Sequence, residues 1–240
     1  MSLLLHYFKI YLLDSFRNRA AFFFTIIFPT LLLVFFGRTD IGTSFVDRLG
    51  ALAVYANYAA QSVALMSFGI AISEERSSCW MQYLKTLPVK PIVFFSGRMM
   101  AMFVIAVISI ILLLMVSYFS FVIHFSFYQY LWIFFIAMVG VIPMALLAIA
   151  IGNLINPTAA RNIFIILNLS FLCATFISTT STLGLELLSM VPSYQWLMLS
   201  ISPYTQASES SAWFSMFIWT VLFYFFAKYA YNKKRNLRMR

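Results

Sequence analysis

Charge is scarce in this chain. Only 10% of its 240 residues are Asp, Glu, Lys or Arg, whereas soluble domains carry roughly a quarter. Too little charge is present to cover a domain of this size with a water-facing surface. Cysteine is nearly absent as well: Cys79 and Cys173 fall in segments expected in the cytoplasm and inside a membrane helix, so a disulfide between them is excluded. There is no Gly-rich nucleotide loop ending in Gly-Lys-Ser or Gly-Lys-Thr, no His-Glu-x-x-His helix, and no Cys or His cluster at metal-ligand spacing. Neither ATP hydrolysis nor zinc binding has a motif here. The start lacks the layout of a cleavable signal peptide, because Lys9, Arg17 and Arg19 follow the first apolar stretch and no small-residue cleavage site comes after them.

What is present is apolar: 63% hydrophobic and 19% aromatic residues. Six stretches lack interior charge, at about 20–36, 49–72, 99–123, 130–155, 162–178 and 212–227. Most approach the roughly 17 to 25 residues that a helix needs to cross hydrocarbon. They are continuously apolar, without the alternation of a membrane barrel strand, so helices are expected. The expected fold class is therefore an all-α integral membrane protein of six transmembrane helices in one domain, residues 1–240.

The formal charge of +9 does not form an aromatic-interleaved basic patch, so nucleic acid is excluded as a partner and membrane topology explains it. Fourteen of the sixteen Lys and Arg residues fall on one side of the six spans, in the N-terminal segment, the second and fourth connections and the tail at 228–240. That side is cytoplasmic and holds both termini. The basic tail also suits contact with anionic lipid. Residues 3–19 read as an interfacial amphipathic helix, with His6, Lys9 and Arg17 in one sector and Leu4, Phe8, Tyr11 and Leu12 opposite. Pro29 removes a backbone donor and should kink the first span. Residues 179–211 are too apolar for an ordinary loop. Proline-bounded stretches at 183–190 and 194–201 suit short re-entrant or interfacial helices on the outer side, with Tyr194, Trp196 and Trp213 at headgroup level; an ordered surface loop is the other reading.

The span interiors hold no Asp, Glu, His, Lys or Arg, which argues against ion-coupled transport, proton pumping and voltage sensing. Energy for any work must come from outside the chain. Mild polarity does recur at helical spacing. Asn57 and Gln61 are four apart in the second span, and Asn168, Thr175, Thr179 and Thr182 form a stripe in and beyond the fifth. Such stripes either pack helix against helix or line a path, and the residues alone leave the two readings even.

Residues 73–98 form the one sizeable cytoplasmic connection. Glu74, Glu75 and Arg76 open it, and Cys79, Trp80, Tyr83, Leu84 and Leu87 then recur at helical spacing, giving an apolar ridge for a soluble partner or for the lipid interface. Glu75-Arg76, Met81, Leu84 and Pro88-Val89, taken together, resemble the signature between the second and third spans of the type-2 exporter permeases of ATP-binding-cassette transporters. Arg-Asn-Arg at Arg17 to Arg19, Pro29, and Ser-Pro-Tyr at Ser202 to Tyr204 occur in the same order as in that family, so the likeness spans nearly the whole chain. Cys79 and Trp80 depart from it, standing where the family usually has Gly and Thr.

The resemblance implies a coupling helix at about 77–86, with Glu75, Arg76, Trp80, Tyr83, Leu84 and Pro88 engaging a separate ATPase subunit dimer that carries ATP and magnesium. It implies no cofactor and no enzyme activity on this chain itself. It further implies a second permease subunit, identical or related, facing a path lined by Asn57, Gln61, Asn168, Thr175, Thr179 and Thr182. Short outer helices bearing Leu187, Met190 and Trp196 would form a gate, and residues 3–19 would contact the ATPase near its docking groove. The expectation is export of an amphipathic or hydrophobic solute, such as a drug or an antimicrobial or toxic peptide, across a bacterial plasma membrane. Export of a lipid-linked glycan or lipid, a non-transporting membrane scaffold, and an enzyme acting on lipid are the alternatives. The last lacks any carboxylate, His or metal constellation.

Overall fold

The computed structural model describes residues 3–36, 45–78, 91–120, 125–180, 190–205 and 209–237. These residues are almost entirely helical, with no strand among them. We number the helices α1 (Leu3–Arg17), α2 (residues 19–36), α3 (Phe45–Ser77), α4 (Pro91–Ser120), α5 (Phe127–Leu154), α6 (Pro157–Thr180), α7 (Pro192–Ile201) and α8 (Glu209–Leu237). Five of them, α3, α4, α5, α6 and α8, are long and apolar enough to cross a membrane. The apolar part of α2, Phe23–Phe36, is shorter, although the helix runs back unbroken to Arg19. The architecture fits an all-helical, multi-pass membrane protein.

Two spans form the middle of the bundle. The most apolar window of α3 is 89% buried and that of α5 is 61% buried, whereas α6 and α8 reach only 22% and 17%. The reason lies in side-chain size. The α3 residues Ala53, Ala56, Ala59, Ala60 and Ala64 let neighbours close in on all sides, and a Cβ on Gly69 would stand 2.7 Å from the Phe164 ring of α6. The outer helices instead show large side chains outward, as Phe214, Phe217 and Phe225 do on α8. Lipid is the natural cover for such surfaces.

Local sequence sets several helix boundaries. Ser126 and Gln129 form a reciprocal capping box at the start of α5, with the Ser126 N–H donating to Gln129 Oε1 at 2.7 Å. Pro157 and Pro192 stand at the first turns of α6 and α7, where a missing N–H is harmless. In α2, a π-helical stretch at Phe23–Ile27 lies just before Pro29. Pro29 has no N–H for the carbonyl of Thr25 four residues back, and Ser109 Oγ of α4 donates to that carbonyl at 2.6 Å. A second π-helical stretch, Val63–Gly69, interrupts α3. Such stretches are uncommon and recur at functional sites.

Several sequence boundaries shift. Helix α3 continues past residue 72 through Glu74, Glu75 and Arg76, while α4 already begins at Pro91, so both ends of the 73–98 connection are helical. Helix α8 carries on to Leu237, well into the basic tail. In α1, Tyr7 and Tyr11 are buried against Phe94 and Ala101 of α4, with Leu4, Phe8 and Leu12 half-buried beside them. His6, Lys9 and Arg17 are exposed, on the side expected for them.

Candidate functional site

One face of α3 concentrates buried polarity. Asn57 and Gln61 are one turn apart, and Tyr58 and Ser62 follow each of them by one position, so the four share a sector. That sector meets Asn168 of α6. Gln61 Nε2 donates to Asn168 Oδ1 at 2.9 Å, and Asn168 Nδ2 donates to Ser62 Oγ at 2.9 Å and to the Tyr58 hydroxyl at 3.1 Å. Asn57 turns toward α7, where its Nδ2 donates to Ser200 Oγ at 3.1 Å. An amide left unpaired at this depth would be destabilising by about 1–3 kcal/mol, so the pairing fixes the rotation of α3 relative to α6 and α7.

Beside this network lies a small cleft lined by Asn57, Tyr58, Gln61, Phe171, Thr175 and Ser193, among others. Thr175 is buried, and its hydroxyl donates back to the Phe171 carbonyl at 2.7 Å. The two stripes anticipated from sequence thus meet at Asn57, Gln61, Asn168 and Thr175. Thr179 lies on the last turn of α6, but its side chain and all of Thr182 fall outside the described residues. Ser62, Tyr58, Ser193 and Ser200 complete the site without having been anticipated. Their signal was weak, since hydroxyl residues are common in membrane helices and nothing in a single sequence says which neighbour they meet.

A second constellation occupies the end of α3. Glu74, Glu75 and Arg76 are consecutive on a helix, so they point about 100° apart and reach different neighbours. Glu75 forms an ion pair with Arg98 of α4. The Arg98 guanidinium also lies 4.9 Å from the centre of the Tyr11 ring of α1 and 6.0 Å from that of Phe68. Arg76 donates to the carbonyls of Asn153 and Ile155, the latter at 2.8 Å, and so closes the C-terminal end of α5. Glu74 accepts from Arg161 of α6 at 2.8 Å, a pair open to solvent on both sides. One helical turn therefore ties together α1, α4, α5 and α6. Trp80, Tyr83, Leu84 and Pro88 lie outside the described residues.

On the α7 side, Trp196 is completely buried rather than facing lipid headgroups. Its indole N–H donates to the Ile136 carbonyl at 2.9 Å, and the ring lies so close to Gly140 that a Cβ there would sit 1.8 Å from it. The headgroup expectation rested on the average preference of Trp for interfaces; here a glycine in α5 opens a seat for it inside protein. Met190 is exposed, and its carbonyl accepts from Trp219 Nε1 at 2.9 Å. Leu187 lies outside the described residues. Among the described residues there is no group of three or more His, Cys, Asp or Glu side chains placed to hold a metal ion. No family model matches the chain, and no curated protein matches it.

Proposed function

We propose that this chain is the membrane permease subunit of an ATP-driven exporter of the ATP-binding-cassette type-2 class. In this reading α2 serves as the first of six spans, both termini are cytoplasmic, and the membrane is a bacterial plasma membrane. The chain pairs with a second permease subunit, identical or related, and with an ATPase dimer that binds ATP and magnesium and performs the hydrolysis. The observation that carries the reading is the charged turn Glu74–Arg76: the Glu75-Arg76 pair that opens the coupling-type segment is anchored to the inner ends of α4 and α5. A push on the following residues, Trp80, Tyr83, Leu84 and Pro88 among them, would reach several spans at once.

Cargo in this reading is an amphipathic or hydrophobic solute, a drug or peptide before a lipid-linked glycan. It passes along Asn57, Gln61, Asn168, Thr175, Thr179 and Thr182 and leaves by a gate at Leu187, Met190 and Trp196. Tagged protein purified from its native host should bring down an ATPase, and Glu75→Ala combined with Leu84→Ala should abolish export or resistance. No co-purifying ATPase together with unchanged export would overturn the proposal.

A second reading has its own support. Gln61 and Asn168 satisfy one another within a single chain, as packing residues do, which favours a non-transporting membrane scaffold. Cysteine at Asn57 and Thr175 separates the two. Labelling by water-borne thiol reagents that changes on adding ATP fits a path, and no labelling at either position fits packing.

A further inference from the structure

We infer that Arg98 is a positioning residue that locks the N-terminal helix α1 to the inner ends of α3 and α4, so that the three move as one body. Arg98 is only 5% exposed, although it carries a charge that water would otherwise solvate. Three contacts on three helices hold it there. Its own helix α4 seats it, Glu75 of α3 supplies the counter-charge, and the guanidinium stands over the Tyr11 ring of α1. The guanidinium thus joins one acid and one phenol ring. Each member belongs to a different helix.

The apolar contact between α1 and α4 is made by rings and a glycine notch. Tyr7 and Tyr11 meet Phe94 edge to face with ring centres 5.8 and 5.3 Å apart, and Gly97 lets the α1 backbone settle close. These contacts act through shape alone. The Arg98 site adds a charge to them, because displacing Tyr11 removes the ring that covers a guanidinium held out of water. Arg98 also stands beside Phe68 within the π-helical stretch of α3, on the same helix as the Asn57 and Gln61 network, so a displacement of α1 has a packed route toward it. The lock belongs to the chain alone and holds or fails whether or not an ATPase partner exists.

The test uses the full chain in lipid nanodiscs, with Cys79 and Cys173 changed to Ser and spin labels placed on Leu13→Cys in α1 and Lys228→Cys in α8. Pulsed electron resonance then reads the distance distribution between the two labels. With Arg98 present a single narrow distribution is expected. Arg98→Met keeps an apolar stem but removes the charge, and a second, longer population should appear while helix content stays unchanged. A distribution as narrow as that of the parent would overturn the proposal, because apolar packing would then suffice. Should Arg98→Met fail to fold, the exchange of Glu75→Arg with Arg98→Glu decides. Return of the single narrow population supports the lock, and a broad or unfolded exchange variant refutes it.

Discussion

Ser109 Oγ takes over the carbonyl of Thr25 that Pro29 leaves without a backbone donor. A defect in one helix is thereby satisfied by a hydroxyl from another, which pins α2 against α4 at a fixed height. Ser109→Ala should lower stability by about 1 kcal/mol, read by thermal or denaturant unfolding in detergent. Pro29→Ala restores the donor inside α2, so adding Ser109→Ala to that background should be nearly neutral. A full loss in both backgrounds would show that Ser109 acts through packing instead.

Gln61 and Asn168 form a similar test for the polar network. Gln61→Leu or Asn168→Leu alone leaves an amide unpaired and should destabilise by about 1–2 kcal/mol, while the double change should recover much of that loss. The double variant is also informative for function. If it is stable yet inactive in an export or resistance assay, the amides serve cargo; if it is stable and active, they serve packing.

Gly140→Ala should be among the most damaging single-methyl additions in the chain, because the new Cβ falls inside the Trp196 ring. A loss of about 1–3 kcal/mol is expected, together with a changed Trp fluorescence spectrum. Gly140→Ala combined with Trp196→Leu should regain part of the loss. An unaffected Gly140→Ala protein would place the indole elsewhere.

The charged turn predicts unequal effects from neighbouring residues. Arg161→Ala should change stability by less than about 0.5 kcal/mol, because its pair with Glu74 is exposed on both sides. Arg76→Ala should cost more, about 1–3 kcal/mol, because the terminal carbonyls of α5 lose their donors. Hydrogen exchange should quicken near the end of α5 in the Arg76 variant and not in the Arg161 variant. Equal behaviour of the two would count against the capping role.

The sequence made the helices and each of the two polar stripes legible, because continuous apolar runs and four-residue spacing are properties of one segment at a time. The apolar side of α1 was readable for the same reason. Arg98 was not: its place in the sequence marks it only as one more base at the end of a span. Its burial depends on Tyr11 and Glu75, which lie far away in sequence and give no periodic sign that they converge. Trp196 misled in a different way. A Trp beside prolines and outside the main spans looks interfacial, and only the absence of a side chain at Gly140, fifty-six positions earlier, brings it inside.

The three consecutive charges at 74–76 make α3 a keyed shaft. A single residue inserted or deleted between Gln61 and Glu74 would turn the key by about 100° while leaving the amide face where it is. A deletion would bring Arg76 to the seat facing Arg98, an insertion would bring Glu75 to the carbonyls at the end of α5, and in both cases Glu75 would lose Arg98. Chain length in this stretch is therefore constrained as tightly as residue type. The π-helical turn at Val63–Gly69 is the one place between amides and charges where a length change could be absorbed, by tightening to an ordinary α-helix or by widening further.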